Sequence, residues 1–440
     1  MLPIIAALAV LGGQGARGLL NRPAHEKVVS CYVTSWAAYR PGKGQFGFDE
    51  LRPEHCTHLI YAFAGLNATT STIVSLDPWA DFEENYGKGT YRKMTGLRRQ
   101  FPGLKVTLAI GGWNEGSANY SALAASPERR NTFVNSVVEF LKMYDFDGLD
   151  LDWEFPAKRG GAPHDKENFV HLIRELHHAF EGRGLILTAA IGADKSTIDM
   201  SYDIPEMSKY LDFIHVMAYD YHGSWDKRVL PNAPLHSKDD LSVEESITYL
   251  LKKGAPPSKL VVGLPMYGRT FVLVSPLSSG ESPIGAPSLE KGFPGPFTRE
   301  NGFMGYNEVC RELSNRTKEW INSWDDESQT AYAVNGDKVV VYDNPKSIRA
   351  KIDFVAKLQL AGVMVWSIDT DDFRGECSTL HDFLTPLKGF TYPLMRAINQ
   401  ALEAPAEKFE DNVVDVKKSS AGSLFALNSV LVMSLYAGLL

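Results

Sequence analysis

Short apolar runs, rich in β-branched residues, recur along the chain and alternate with segments that carry helix signals. The eight runs cover residues 28–35, 57–66, 104–111, 146–155, 185–192, 212–219, 259–267 and 362–368. Strands that alternate with helices form parallel sheets through crossover connections, and eight such repeats close a barrel. The pattern therefore predicts the α/β class and a (β/α)8 TIM barrel over residues 27–390.

The segments between the runs begin with residues that favour helix starts. Ser126 precedes Pro127, and Ser242 stands three residues before Glu245 in the spacing of a capping box. A doubly wound open sheet is the alternative to a barrel, but no GxGxxG motif follows the first run.

One connection is much longer than the others. More than 90 residues separate Tyr267 from Gly362, and 346–360 reads as the last barrel helix. The rest, 268–345, predicts an inserted α+β subdomain between barrel strands 7 and 8. Within it we expect a helix at 306–316 and strands at 330–334 and 339–342 around the turn Asn335-Gly336.

Both ends of the chain carry apolar segments. Residues 1–16 resemble a secretory signal peptide, with a buried apolar helix or strand as the alternative. At the other end, a polar linker at 398–423 precedes an apolar tail at 424–440. We expect the tail to be a GPI-attachment signal, with Ser419, Ser420 and Ala421 as the attachment site, and membrane contact only through it. A retained tail anchor and a docked core helix are the alternatives.

Composition narrows the function classes. The 440 residues hold 45 Lys and Arg against 53 Asp and Glu, for a net charge of −8. A nucleic-acid binder needs a basic face, so a neutral ligand fits better. The four cysteines are too few for a disulfide-rich scaffold, and none has the CxxC spacing of a zinc site. Three N-x-[ST] sequons, at Asn67, Asn119 and Asn315, agree with secretion.

The fourth run contains a row of acids. Side chains alternate faces along a strand, so Asp150, Asp152 and Glu154 share one face and the apolar residues between them share the other. In a barrel the acids would point inward, where like charges raise one another's pKa, and we expect one proton to be shared in the row. Glu154 lies nearest the carboxyl end of the strand, where barrel enzymes place catalysis, and is the natural general acid. By itself the row predicts a glycosidase or a metal site.

Further motifs extend this signal. DGLDLDWE at 147–154 resembles the DxxDxDxE motif of glycoside hydrolase family 18, the chitinases. LAIGGW at 108–113, MAYDY at 217–221, MYGR at 266–269 and VWSID at 365–369 resemble the family's other barrel motifs, in order. The resemblance covers roughly residues 27–390 and implies retaining hydrolysis of chitin and chito-oligosaccharides without metal or cofactor. Separately from the resemblance, we expect a secreted monomer, and we expect endo action although the sequence does not settle endo against exo action. The family is a substrate-assisted exception to the rule of two catalytic carboxylates.

The resemblance also implies residue roles. Glu154 would be the acid and base, Asp152 would orient the substrate acetamide, Asp150 would exchange a proton with Asp152, and Tyr219 would donate to the acetamide oxygen. The expected substrate-binding residues are Tyr32, Trp36, Phe63, Trp113, Met217, Asp220, Tyr267, Arg269 and Trp366, and Trp225 is a further candidate aromatic. Proximity of the predicted strands and the family pattern both favour disulfides Cys31–Cys56 and Cys310–Cys377.

Two other functions remain open from sequence. A catalytically silent chitin-binding lectin can occupy the same barrel, although such members typically lack the final acid of the motif, and Glu154 is present. A membrane-tethered adhesive protein is the other alternative.

Overall fold

The computed structural model describes residues 23–278, 280–315, 317–377 and 391–403. The predicted signal peptide at 1–16, the apolar tail at 424–440 and most of the predicted linker lie outside these residues. The first residues of that linker, from Ile398, belong to a helix instead. This helix is amphipathic and buries Leu394, Met395 and Ile398, so its apolar stripe holds it on the barrel.

The described residues form fourteen strands. In chain order they are β1 Val28–Thr34, β2 His58–Asn67, β3 Thr72–Ser75, β4 Lys105–Gly111, β5 Gly148–Asp152, β6 Ile186–Gly192, β7 Phe213–Met217, β8 Leu260–Pro265, β9 Tyr267–Val272, β10 Phe303–Gly305, β11 Ile321–Asp325, β12 Thr330–Asn335, β13 Lys338–Tyr342 and β14 Gly362–Trp366.

The same residues form eleven α-helices. They are α1 Pro78–Asp81, α2 Thr90–Gly96, α3 Ala118–Ala125, α4 Pro127–Tyr144, α5 Asp165–Phe180, α6 Lys195–Ser201, α7 Ile204–Tyr210, α8 Val243–Lys252, α9 Tyr306–Ser314, α10 Pro345–Lys357 and α11 Pro393–Glu403.

Eight parallel strands close into a barrel, which confirms the predicted fold. The order is β1-β2-β4-β5-β6-β7-β8-β14, and β14 pairs with β1 to complete the ring. All eight predicted runs contain one of these strands. The predicted helix starts are also present, because Ser126 and Ser242 accept hydrogen bonds from the backbone N–H groups of Arg129 and Glu245. The connection from β1 to β2 contains only short 3-10 turns among its described residues.

The barrel has an apolar layer on each side of its strands. Outward side chains such as Leu149, Leu151 and Trp153 of the fourth barrel strand and its end pack in the main core under the helices. Inward side chains such as Tyr32 and Met364 form a separate cluster inside the ring. The interior is therefore filled by side chains, and the site must lie at its mouth.

A second, antiparallel sheet forms the insertion, with the order β10-β9-β13-β12-β11. It contains the predicted strands at 330–334 and 339–342, and Gly336 turns between them with φ +60°. The sequence did not indicate β9, β10 or β11. The seventh run was predicted to continue through Tyr267, but that residue begins β9, which leaves the barrel ladder and pairs with β10 and β13.

The described residues contain both expected disulfides, Cys31–Cys56 and Cys310–Cys377. The first links β1 to the segment before β2, and the second links α9 of the insertion to the chain after β14. Within the described part of the chain, no helix is both long and apolar enough to cross a membrane.

Candidate active site

The three acids of the fourth barrel strand line up as the alternation predicts. Asp150 and Asp152 lie in β5 and are buried, whereas Glu154 follows the end of that strand and is partly exposed. Exposure thus increases along the row toward the mouth of the barrel. The carboxyl closest to solvent is the one that a substrate can reach.

Asp150 is held by hydrogen-bond donors on three other barrel strands. Tyr32 Oη donates to Oδ2, and Thr188 Oγ1 donates to Oδ1. His215 Nδ1 lies 2.9 Å from Oδ1, and its Nε2 lies 3.1 Å from Ser30 Oγ. Burial opposes ionisation of Asp150, but His215 and these donors outweigh it, so the pKa of the carboxyl is lowered.

Asp152 has the opposite environment. Its Oδ1 atom is buried and has no hydrogen-bond partner among the described residues. Burial raises the pKa of Asp152 well above the usual range, and the neighbouring charges of Glu154 and Asp150 raise it further. Before substrate binds, this environment therefore favours the protonated form of the Asp152 carboxyl.

Burial also raises the pKa of Glu154, to about 7. Arg159 acts in the other direction, and Asp220 adds to the increase. A carboxylic acid with a pKa near neutrality can donate a proton in the first half of a reaction and accept one in the second.

Two glycines let neighbouring strands approach this row. Gly112, just after β4, has φ +86° and donates its N–H to Asp152 O over 2.8 Å; a Cβ there would meet the Phe63 ring at 2.6 Å. On β8, a Cβ on Gly263 would lie 2.7 Å from the Tyr219 ring. A side chain at either position would displace an aromatic ring at the mouth of the barrel.

Tyr219 follows β7 and faces the acids. Among the described residues, its hydroxyl has only a weak sulfur contact, with Met364 Sδ at 3.8 Å. Burial, followed by the nearby charge of Asp152, raises the pKa of Tyr219 well above its usual value. The phenol therefore stays protonated and can donate a hydrogen bond to a ligand.

Aromatic rings cover the adjoining part of the barrel mouth. The Phe63 ring stacks on Trp36 and on Trp366, with centroids 6.0 and 5.8 Å away, and the two indole rings lie 6.2 Å from each other, so the three rings form a triangle. Tyr32 meets Trp366 edge-on at 5.2 Å. Met217 packs on the same interior cluster. Rings of this kind match the apolar C–H faces of sugars.

Asp220, in the loop after β7, binds two residues of β9 in the insertion. Asp220 Oδ1 accepts hydrogen bonds from Tyr267 Oη at 2.7 Å and from Arg269 Nε at 2.8 Å. The Arg269 guanidinium also lies 5.1 Å from the Trp225 ring, and Trp225 is half exposed. These residues connect the loop after β7 to β9.

Trp113 lies beside the catalytic row and is 60% exposed. The Arg159 guanidinium lies 3.5 Å from its ring centroid. One Arg159 nitrogen, Nη1, donates to Trp113 O at 2.9 Å and to Glu154 O at 3.0 Å. Arg159 thus joins the loop of this exposed aromatic to the backbone of the acid.

The donors available for a metal ion are few in the described residues. Cys310, Asp372 and Cys377 form one close group, but the two cysteines are joined in a disulfide and offer no thiolate. The oxygens of Asp150 already accept three side-chain contacts, so the acid row is arranged for proton transfer.

The predicted catalytic and substrate-binding residues lie in or just after barrel strands, or in β9 of the insertion, with Asp150 and Tyr32 deeper in the barrel interior. Sequence reasoning missed Ser30, Thr188 and His215, together with Arg159, which lies on Trp113. Thr188 and His215 contact Asp150, and Ser30 contacts His215. Ser30, Thr188 and His215 occupy inward positions of β1, β6 and β7, so the alternation that identified the acids could have identified them too. Arg159 lies in a loop, where no periodicity applies.

Comparison with known proteins places these features in a family. The family model described as Glycosyl hydrolases family 18 matches residues 28–371. "Probable chitinase 2" of Drosophila melanogaster is 52% identical over 397 residues, which cover 86% of this chain and 81% of that protein. The "Endochitinase" of Manduca sexta is 38% identical over 388 residues, which cover 84% and 68%.

A solved structure agrees with these relatives. The crystal structure of Ostrinia furnacalis Group IV chitinase superposes with a TM-score of 0.79 at 40% identity, over 86% of this chain and 99% of that one. A further structure of that enzyme is a complex with allosamidin.

Proposed function

This chain belongs to the glycosyl hydrolases of family 18, and from that premise we propose that it is an endo-acting chitinase that cleaves β-1,4-linked N-acetylglucosamine polymers and oligomers with retention of configuration. The names of the relatives support the substrate class. The acid row supports the mechanism.

In the first step, Glu154 protonates the glycosidic oxygen as the bond to the anomeric carbon breaks. The acetamido carbonyl oxygen of the same sugar attacks that carbon and forms an oxazolinium ion. The leaving sugar departs with the proton of Glu154 as its new hydroxyl hydrogen. The pKa of about 7 supports this role, because Glu154 is protonated in acidic solution and only partly ionised in neutral solution.

In the second step, Glu154 is a carboxylate and removes a proton from water, which opens the oxazolinium ion at the anomeric carbon. Two successive inversions at one carbon retain its configuration. Glu154 ends the cycle protonated, so no protein nucleophile is needed.

Asp152 and Tyr219 act on the acetamide. On substrate binding Asp152 passes its proton to Asp150, and the resulting carboxylate accepts a hydrogen bond from the acetamide N–H. This hydrogen bond aims the acetamide oxygen at the anomeric carbon, and the carboxylate offsets the positive charge of the oxazolinium ion. The unpartnered Oδ1 of Asp152 supports this assignment. The Tyr219 hydroxyl donates a hydrogen bond to the acetamide oxygen. Asp150, which His215 contacts, exchanges a proton with Asp152.

The observation that carries the proposal is the arrangement of the three carboxyls. Asp150 is buried and contacted by three side chains, Asp152 has a buried Oδ1 atom without a partner among the described residues, and Glu154 is partly exposed at the barrel mouth. The innermost carboxyl has a lowered pKa, the middle one a strongly raised pKa, and the outermost a pKa near neutrality. A binding site for a neutral sugar has no need for three carboxyls in such different states. This favours the enzyme over the chitin-binding lectin and the adhesive protein.

Hydrolysis of penta-N-acetylchitopentaose, followed by proton NMR from the first turnover, tests the proposal. The β-anomer should appear first, and the matched cello-oligosaccharide, which has no acetamide, should remain intact. Endo action should lower the viscosity of a soluble chitin derivative faster than reducing ends appear. Initial α-anomer, or equal cleavage of the cello-oligosaccharide, would refute the mechanism.

We also propose that the protein is secreted. Its two disulfides support an oxidising compartment. Asn119 and Asn315 are exposed and Asn67 is partly exposed, so each can accept a glycan. Digestion with an N-glycosidase should shift the mass of the secreted protein, and an unchanged mass would contradict glycosylation.

We further propose that a GPI anchor attaches the protein to the outer face of the plasma membrane, which the apolar segment at 424–440 supports. A phosphatidylinositol-specific phospholipase should release activity from intact cells. Activity that stays on the membrane, or a mature protein that still contains Leu440, would contradict the anchor.

A further inference from the structure

Ser117 stands at the start of α3 but does not cap that helix. It occupies the N-cap position, and its side chain accepts no hydrogen bond from the first turn. Serine is favoured at N-caps because its hydroxyl satisfies a free backbone N–H, which contributes about 1 kcal/mol. Ser126 and Ser242, at two other helix starts of this protein, do cap their helices.

The Ser117 hydroxyl binds the residues on both sides of Glu154 instead. Trp153 Nε1 donates to Ser117 Oγ at 2.6 Å, and Ser117 Oγ donates to Phe155 O at 2.5 Å. Ser117 is 1% exposed, so both hydrogen bonds are shielded from water. One hydroxyl therefore ties down the residue before and the residue after the catalytic acid.

The Glu154 carboxylate itself receives no side-chain or backbone donor from the described part of the chain. Its direction is therefore set by its backbone and by the packing of its neighbours. Trp153 packs edge-on against Phe169 at 5.5 Å and lies 6.0 Å from Tyr120, so its indole is fixed. The Ser117 hydroxyl binds both this fixed indole and the carbonyl of Phe155, so it restrains the backbone on the other side of Glu154.

Ser117 also ends the loop that carries Trp113. The 3-10 turn Trp113–Glu115 and Gly116 lie immediately before it. On the far side of that loop, Arg159 joins Trp113 O to Glu154 O. The aromatic loop and the acid are thus connected at two points, one of which is buried.

We propose that Ser117 is a positioning residue for the catalytic acid, and that its hydroxyl holds the backbone around Glu154 in the orientation that proton transfer requires. This inference rests on the proposed function. It assigns Ser117 no contact with substrate.

The test compares kcat, KM and the pH profile of Ser117→Ala with those of Ser242→Ala. The control, Ser242→Ala, makes the same substitution at a serine that does cap its helix and that is distant from Glu154 in sequence. Ser117→Ala should lower kcat about tenfold with KM within twofold, as expected for an interaction realised in the transition state. Because water then reaches Glu154 more easily, the alkaline limb of the profile should move to lower pH. In Ser242→Ala, kcat and the pH of the alkaline limb should equal the wild-type values.

Two further variants separate positioning from folding. Ser117→Ala leaves a buried indole N–H without an acceptor, which destabilises the protein. Ser117→Cys keeps the size of the side chain but supplies only a weak donor and acceptor, so it should fold and still show the lower kcat. Ser117→Thr retains the hydroxyl and should restore kcat and the pH limb.

Wild-type kcat and pH limb in both the Ala and Cys variants would overturn the inference. A loss of kcat that follows only the unfolded fraction, measured by circular dichroism at the assay temperature, would overturn it as well. If the wild-type protein itself does not cleave chito-oligosaccharides, the proposed function fails instead, and the two failures are distinguishable.

Discussion

His215 Nδ1 lies 2.9 Å from Asp150 Oδ1 at the centre of the barrel, where the two side chains are 1% and 0% exposed. This contact lowers the pKa of Asp150 against the effect of its burial. An ionised Asp150 in turn helps to raise the pKa of Asp152. His215, which was not among the expected substrate-binding residues, therefore contributes to the electrostatics of the whole row.

Asp152→Asn keeps the size of the side chain but cannot carry the negative charge that offsets the oxazolinium ion. We expect kcat to fall about 100-fold with little change in KM, since the lost interaction develops in the transition state. Steady-state kinetics with a chito-oligosaccharide measures both. Asp81→Asn, another buried aspartate with a raised pKa, is the control, and an equal loss of kcat in that variant would point to a general effect of buried substitutions.

The activity should depend on pH through Glu154. Its pKa is raised to about 7, so the acid is protonated below that pH and kcat/KM should fall as the pH increases through it. Arg159 lowers that pKa. Arg159→Gln should therefore move the alkaline limb to higher pH, whereas Arg159→Lys, which keeps the charge, should move it less. A limb that stays at the same pH in Arg159→Gln would contradict the assignment of this limb to Glu154.

Trp366 should bind sugar through the face of its ring. Trp366→Ala removes that surface at a cost of about 1.4 kcal/mol, which corresponds to about a tenfold higher KM. Trp324→Ala is the control, because Trp324 lies in β11 under the amine of Lys346. Isothermal titration of a chito-oligosaccharide into both variants measures their dissociation constants. Equal dissociation constants in the two variants would show that Trp366 is not part of the binding surface.

The Cys31–Cys56 disulfide should stabilise the barrel at its first strand. It closes a loop with a sequence separation of 25 residues. Replacing both cysteines by serine should lower the free energy of unfolding by about 3 kcal/mol, mainly by freeing the unfolded chain. Denaturant unfolding of the wild-type and double-serine proteins measures the difference. Indistinguishable midpoints would mean that the bond contributes nothing to equilibrium stability.

The barrel could be predicted from sequence because each of its strands is buried on both sides. Such strands are continuous apolar runs, and the polar exceptions among them, Asp150 and Asp152, are conspicuous. The insertion was harder to predict. β11, Ile321–Asp325, has no buried residue, and β10 has three residues, so neither has an apolar pattern long enough to recognise.

The site was predicted in part for the same reason. Its acids and aromatics lie in or next to strands with clear alternation. Ser117 and Arg159 lie in loops, and their roles depend on hydrogen bonds to the carbonyls of Phe155 and Trp113, which are distant from them in sequence. Contacts of that kind follow from the folded backbone and leave no periodic signal.

The most direct test of the central claim is the rate of hydrolysis by Glu154→Gln, measured beside its affinity for the same chito-oligosaccharide. Glutamine has the shape of the acid but no transferable proton. The account predicts a kcat lower by several orders of magnitude and a dissociation constant within a few-fold of the wild-type value. A near wild-type kcat in Glu154→Gln would contradict the account.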